Sequence, residues 1–157
     1  MIWGVVVGAA VVVAVAGVAK LAKPEVTTEA IRSAGLAVPP VVVSLLGLVE
    51  LLVGVVVVVW HPPAGAAVLG LLYLGFTAFS LRLLLVRGAT ASCGCFGQRD
   101  APIGVEHVVV NLAVALVGFD AAAGIGPQSV DPVAAIGATA LLLVLLAVVP
   151  SLRVISR

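Results

Sequence analysis

Long apolar stretches almost free of charged residues limit what this chain can fold into. A helix needs about 20 apolar residues to cross the hydrocarbon core of a bilayer. Such helices are predicted at residues 2–20, 39–60, 64–86, 103–123 and 132–150. Only 10% of the residues are charged, against roughly a quarter in soluble domains. We therefore predict an all-α, polytopic transmembrane bundle, a four-helix core plus one further span, that forms a single integral membrane domain over residues 1–157.

The connections between the spans are short and carry helix-breaking residues. Pro24 can open a short helix that Gly35 closes, and this helix is predicted to lie at the membrane interface. The sequence His61-Pro62-Pro63 allows only a tight turn, so the second and third spans are predicted to form an antiparallel hairpin. Small residues recur within the spans and predict close helix packing. They are Gly4, Gly8, Gly47, Gly54, Gly70 and Gly75.

The basic residues indicate an orientation. With five spans, all 8 lysines and arginines fall on one side of the membrane. The positive-inside tendency then places the N-terminus outside, and the C-terminus and the loop 87–102 in the cytoplasm. A net charge of +1, with no basic patch interleaved with aromatic residues, gives no indication of nucleic-acid binding.

The loop 87–102 contains both cysteines of the chain, in the sequence Cys93-Gly94-Cys95. A disulfide between two cysteines that are one residue apart closes a small ring, and its geometry departs from that of a relaxed disulfide. This strain makes the disulfide easier to reduce. Gly94 reaches unusual dihedral angles at little cost. Nearby cations favour the reactive thiolate. The candidates are Arg87 and Arg99, which flank the pair, and Arg82, whose side chain can extend to the same surface.

Four polar residues within the spans are further candidates. His107 lies near the start of the fourth span, on the side of the cysteines. We expect it to act as a proton shuttle or a ligand, or to be an interfacial histidine that is hydrogen-bonded to a neighbour. Glu106 is expected to pair with an arginine. Glu50 lies in the middle of a span, where a carboxylate must be protonated, paired or facing a polar cavity. Arg82 is its predicted partner, and Asn111 is expected to make a hydrogen bond in helix packing or within the same cavity.

Several of these residues also resemble a known family. The stretches 93–97 (Cys-Gly-Cys-Phe-Gly) and 17–21 (Gly-Val-Ala-Lys-Leu), together with Glu50 and Asn111, resemble the MauE/DoxX group of redox-associated membrane proteins over about residues 5–120. The resemblance implies a bacterial inner-membrane bundle associated with thiol-disulfide chemistry, whose named member is needed to mature a disulfide-rich enzyme outside the cytoplasm. That substrate side conflicts with the charge-based orientation.

The resemblance also implies residue roles. Cys93 and Cys95 would be the redox pair, and Lys20, Glu50 and Asn111 would be family motif positions. Val110 stands where an arginine is expected, which leaves a basic contribution from that position in doubt.

Three functions remain open at this point. The first is a thiol-disulfide oxidoreductase or electron relay, in which Cys93 and Cys95 exchange with a thioredoxin-like partner or a membrane quinone. The second is a metal-binding module that uses Cys93, Cys95 and His107 for Cu(I) or Zn(II). The only methionine is Met1, so no methionine cluster supports copper handling. The third is a scaffold subunit of a larger membrane complex.

Overall fold

The computed structural model describes residues 2–88, 103–124 and 132–143, and over these ranges the chain is a bundle of α-helices without strands. The helices are α1 (Ile2–Ala22), α2 (Pro24–Ser33), α3 (Pro40–Trp60), α4 (Pro63–Arg87), α5 (Val105–Ala122) and α6 (Pro132–Leu143). Four of them, α1, α3, α4 and α5, are long and apolar enough to cross a membrane. The predicted helical membrane bundle is therefore confirmed. Of the predicted fifth span, the structure describes only the part that forms α6.

The first helix is the centre of the bundle. In its most apolar window 56% of the residues are buried, against 28% to 33% in the other three long helices. It packs extensively on α3 and α6 and also contacts α5 and α2, while α4 packs mainly on α5. The other long helices expose broad apolar faces, as expected for surfaces solvated by lipid.

The predicted tight turn between the second and third spans is confirmed, because only His61 and Pro62 separate α3 from α4. His61 adopts a left-handed conformation with φ 52° and donates its backbone N–H to the carbonyl of Val57, which ends α3. However, the two arms of this hairpin pack mainly against other helices, α3 against α1 and α4 against α5. Adjacency in sequence is therefore a poor guide to which side chains meet in this bundle.

Small residues let the helices cross closely, as predicted. A methyl group at Gly17 would lie 2.5 Å from the carbonyl oxygen of Gly47, and one at Gly54 would lie 2.6 Å from that of Ala10. These contacts define an antiparallel register between α1 and α3. Gly8 similarly approaches α6, and Gly70 approaches Gly118 on α5. The prediction fails at Gly75, where an added methyl group would meet no atom within 4 Å.

The short helix after α1 is also confirmed. Pro24 begins α2, and Gly35, with φ 78°, follows its last turn. Val26 and Ala30, together with Ala34 just after the helix, lie on its buried side, while the charged side chains of α2 are exposed.

The basic residues gather at one end of the bundle. The helix directions bring together the end of α1, all of α2 and the end of α4. The lysines and arginines of the described ranges all belong to these segments: Lys20, Lys23, Arg32, Arg82 and Arg87. We call this the cationic end. The one-sided distribution of lysine and arginine thus holds for the part of the chain that the structure describes, while the side of the membrane that this end faces stays a prediction.

Candidate functional site

The structure describes both flanks of the cysteine loop but not the cysteines. Cys93, Cys95 and Arg99 lie in residues 89–102, outside the described ranges. The first residue described after this segment, Ile103, is fully buried in a small apolar cluster with Ala34 and Leu83. Both flanks therefore leave from the cationic end of the bundle. The redox pair itself stays a prediction.

A buried ion pair joins α1 to α3. The ammonium nitrogen Nζ of Lys20 lies 2.8 Å from Oε2 of Glu50 and donates a hydrogen bond to it. Glu50 is 0% exposed and Lys20 4%. Both charges are therefore removed from solvent, and each depends on the other for compensation.

The close crossing of α1 and α3 makes this pair possible. Gly17 faces Gly47, so the antiparallel register places the Cα of Lys20 about 9 Å nearer the cationic end than that of Glu50, at 1.5 Å of rise per residue. Because helical side chains tilt towards the helix N-terminus, Lys20 extends back along α1 and reaches the carboxylate.

The predicted partner of Glu50 was wrong. We expected Arg82 because it lies on the other arm of the hairpin, but the partner is Lys20 on α1. Arg82 instead donates from Nε to the backbone carbonyl of Ala34, at 2.9 Å. The physical reason is the helix order: α3 packs mainly on α1, and α4 packs mainly on α5.

Helix α4 supplies the surroundings of the ion pair. The ring of Phe76 lies 5.6 Å from Nζ of Lys20, within the range of a cation–π contact. Tyr73 donates its hydroxyl to the carbonyl of Ala9, at 2.9 Å, and so ties α4 to α1. Thr77 donates its hydroxyl to the carbonyl of Tyr73. Neither hydroxyl proton is thus directed at Glu50, whose Oε1 is buried and has no hydrogen-bond partner within the described residues.

Two arginines close the end of α2. Nε of Arg87 donates to the carbonyl of Ser33, at 2.8 Å, as Nε of Arg82 does to Ala34. Carbonyls at the C-terminus of a helix lack intrahelical partners and carry partial negative charge, so they suit cations. Arg82 and Arg87 therefore belong to the cationic end, as predicted. Their predicted effect on the thiols stays a prediction.

His107 and Asn111 are buried on the same face of α5, at 5% and 6% exposure. Nδ1 of His107 accepts the backbone N–H of Gly104, at 3.2 Å, and thereby caps the start of the helix. One of the two expectations for His107, a histidine bonded to a neighbour, is therefore observed. Glu106 lies half-buried in the first turn of α5, and its pairing with an arginine stays a prediction.

The metal alternative depends on Cys93, Cys95 and His107. The described ranges contain no group of three or more histidine, cysteine, aspartate or glutamate side chains arranged to hold a metal ion. The proposed ligands Cys93 and Cys95 fall outside those ranges, so the set with His107 stays a prediction.

The burial of Lys20 was missed, although the sequence contained a signal for it. Next to the exposed Lys23, it reads as an ordinary cation at the end of a span. However, Val13, Gly17 and Lys20 follow each other at spacings of four and three, which puts them on one face of α1.

The apolar helices, the buried ion pair and the confinement of the described lysines and arginines to one end define this chain as a multi-pass membrane protein built as a helix bundle. Residues 1–126 match the family model described as methylamine utilisation protein MauE, so the chain belongs to the MauE family. The match confirms the MauE part of the resemblance, and the DoxX part stays a prediction. Comparisons with curated proteins and with solved structures found no match.

Proposed function

We propose that the protein is a membrane thiol-disulfide oxidoreductase, or an electron relay, that works through Cys93 and Cys95. The observation that carries the proposal is the Cys93-Gly94-Cys95 pair itself, which lies within the residues that match the MauE family. Its loop leaves from the cationic end of a multi-pass bundle. A strained pair with a positive charge nearby would suit exchange better than structural cross-linking.

The exchange conserves atoms and electrons. A thiolate of a thioredoxin-like partner attacks one sulfur of the Cys93–Cys95 disulfide, and the released sulfur leaves as a thiolate. The second thiol of the partner, once deprotonated, then attacks the mixed disulfide. The partner becomes a disulfide and Cys93 and Cys95 become a dithiol, with two electrons and two protons transferred. Reduction of a membrane quinone to a quinol would return the pair to the disulfide.

Described residues at the cationic end, where the cysteine loop begins and ends, support this chemistry. Arg82 and Arg87 hold their guanidinium groups at the cationic end through the carbonyls of α2. A positive charge close to a thiol favours the thiolate, which is the attacking species. His107 stands at the start of α5, four residues beyond Ile103. These side chains would assist the exchange, and Cys93 and Cys95 would carry it out.

The proposed location is the inner membrane of a bacterium, with the N-terminus outside and the cysteine loop in the cytoplasm. The support is the confinement of the described lysines and arginines to one end of the bundle. A membrane-impermeant thiol reagent applied to intact cells tests the orientation. We expect no labelling of Cys93 or Cys95 in intact cells and labelling after lysis; labelling in intact cells would place the loop outside.

The redox state of the cysteines tests the function. Purified protein is incubated with a reduced or an oxidised thioredoxin, free thiols are alkylated, and the products are measured by mass spectrometry. We expect Cys93 and Cys95 to change state together and the thioredoxin to change in the opposite sense. Ser92→Ala, next to the pair, is the matched control, and Cys93→Ser is expected to stop at the mixed disulfide or not react.

Two results would contradict the proposal. A pair that never changes state would exclude thiol-disulfide exchange. If cells that carry the double variant Cys93→Ser/Cys95→Ser in place of the native protein keep its full function, the cysteines are dispensable and the protein acts as a scaffold. Elemental analysis of the same preparation addresses the metal alternative, which requires about one equivalent of metal per chain, bound through the two thiolates and His107.

A further inference from the structure

The buried polar side chains of the bundle are unevenly distributed. Within the described ranges, α1 and α3 bury Lys20 and Glu50, α4 buries Thr77 and Ser80, and α5 buries His107 and Asn111. Each of these residues lies between the middle of its helix and the cationic end. Helix α2, which belongs to the same end, buries two threonines against the bundle. Four long helices and α2 thus contribute polar groups to one half of the interior.

Over the described ranges the opposite half of the interior is mainly apolar, and the buried hydroxyl of Tyr73 is donated there to the carbonyl of Ala9. Its core contains Trp3, Val6, Val57, Ala66 and Leu69, all at most 2% exposed. The change from polar to apolar falls near Glu50, the middle residue of α3. From Pro40 to Glu50 the helical rise is about 15 Å, which is roughly half of the hydrocarbon thickness of a bilayer. The polar half therefore extends from the cationic end to the membrane interior, and Glu50 stands at its inner limit.

Only one of the two carboxylate oxygens of Glu50 has a hydrogen-bond partner in the described part of the chain. Oε2 of Glu50 accepts from Lys20, whereas Oε1 is buried with no hydrogen-bond partner in the described part of the chain. Of the helices that pack on α3, α1 contributes Lys20 and α4 contributes Tyr73 as buried titratable groups, while the charged residues of α2 are exposed. The hydroxyl of Tyr73 is already donated to Ala9. An acceptor that is buried without a hydrogen bond lowers the stability of the folded chain.

Stability does not explain why such a group is present. Replacing a buried ion pair by apolar residues is often neutral or stabilising. An ionisable residue inside a membrane is costly, and such residues commonly mark ion pathways and proton relays. Glu50 has one oxygen without a hydrogen bond and stands at the inner limit of the polar half of the interior. Such a carboxylate is suited to take up a proton.

We propose that Oε1 of Glu50 is a proton-binding site in the membrane interior, reached from the cationic end along the buried polar side chains of α4 and α5. A proton from the aqueous phase binds Oε1 and converts the carboxylate to a carboxylic acid. Lys20 keeps its hydrogen bond to Oε2, and its positive charge is then stabilised by that bond and by the ring of Phe76. Release of the proton restores the ion pair. The site is independent of the chemistry proposed for Cys93 and Cys95.

Infrared spectroscopy of the full-length protein in lipid nanodiscs tests the site, with the proton itself as the probe. Spectra are recorded between about pH 4 and pH 10, the range bounded by the ordinary pKa values of glutamate and lysine. We expect a carboxylic-acid C=O band that appears and disappears reversibly in this range. Glu50→Gln should abolish the band, and Glu25→Gln, which changes an exposed carboxylate of α2, should retain it.

Because Glu50→Gln leaves Lys20 without its counter-charge, the double variant Lys20→Met/Glu50→Gln serves as a second negative control. If no band that depends on Glu50 appears at any pH in this range, the ion pair is a static contact and the proposal is wrong.

The access route is tested by exchanging H2O for D2O, which shifts the carboxylic-acid band. Asn111→Leu, which removes a buried amide from the polar half, should slow the exchange by about tenfold, the equivalent of roughly 1.4 kcal/mol in the barrier. Val114→Ile is the matched control, since Val114 lies three residues further along α5, is similarly buried and belongs to the apolar half. Equal exchange rates in these two variants would overturn the proposed route.

Discussion

Lys20 and the two arginines of α4 lie at the same end of the bundle, but they are stabilised in different ways. Lys20 is 4% exposed and is paired with a full negative charge, the carboxylate of Glu50. Arg82 and Arg87 are exposed and donate to backbone carbonyls at the end of α2. The difference follows from solvation. Away from water a cation needs a counter-charge, whereas at the surface a partial charge and solvent suffice.

Removing the buried cation should have the largest effect. Lys20→Met leaves the carboxylate of Glu50 fully buried without its counter-charge, which typically costs about 3–5 kcal/mol. We expect a corresponding loss in the free energy of unfolding, measured by denaturant titration in detergent micelles. Lys23→Met, at an exposed lysine three residues away, should change it by no more than about 0.5 kcal/mol.

The double variant Lys20→Met/Glu50→Gln separates loss of the pair from loss of packing. Because it leaves no buried charge, it should recover most of the stability that the single variant loses. If the single and double variants are equally unstable, the defect lies in packing around the introduced methionine side chain and the electrostatic comparison fails.

The next largest effect is expected where α1 crosses α3. In Gly17→Ala the new methyl group would lie 2.5 Å from the carbonyl oxygen of Gly47 and 2.7 Å from the backbone nitrogen of Leu51. The helices must then separate, and overpacking of this kind costs about 1–3 kcal/mol. The shift would also draw Lys20 away from Glu50, so thermal unfolding should report lower stability.

Gly75→Ala is the matched control for this crossing. An added methyl group there meets no atom within 4 Å, and alanine favours a helix over glycine by up to about 1 kcal/mol. We therefore expect unchanged or slightly raised stability. A loss equal to that of Gly17→Ala would show that the substitution acts through something other than the crossing.

The sequence predicted the elements of this fold better than their neighbours. Apolar runs and prolines indicated α1, α3, α4 and α5, the turn at His61, and α2 between Pro24 and Gly35. These features depend on local properties of the chain: apolar length, and residues that start or end a helix. The buried face of α3 also follows a local rule, because its members recur at spacings of three and four. They are Val43, Gly47, Glu50, Gly54 and Val57.

The partner of Glu50 could not be predicted from local rules. A short turn suggested that α4 would lie against α3, and this made Arg82 the nearest cation. The tightest crossing instead joins α3 to α1, through Gly17, Gly47 and Gly54. Which helices approach most closely depends on how all their small residues fit together. For the cysteine pair the situation is reversed. The motif is easily recognised in the sequence, but Cys93 and Cys95 lie outside the residues that the structure describes.

A smaller effect is expected at Arg82. Arg82→Gln removes the bond from Nε to the carbonyl of Ala34, and a hydrogen bond of this kind contributes about 0.5–1.5 kcal/mol. We expect a loss within that range in the same unfolding assay. Leu85→Gln, at a neighbouring exposed position of α4, controls for placing an amide near this end of the helix. If the two variants are indistinguishable, the contact with α2 contributes nothing measurable.

The smallest effect is expected at Arg87, and its dependence on salt gives the sharpest test of the comparison. Its bond to the carbonyl of Ser33 is exposed, so Arg87→Gln should lower the free energy of unfolding by no more than about 0.5 kcal/mol. Whatever part of this is electrostatic should vanish with salt, because the Debye length falls from about 30 Å at 0.01 M to about 3 Å at 1 M. The loss caused by Lys20→Met should persist at 1 M salt, because buried pairs are screened much less. If salt reduced both losses in the same proportion, water and ions would reach Lys20 as readily as Arg87, and the distinction between a buried charge pair and a surface contact would fail.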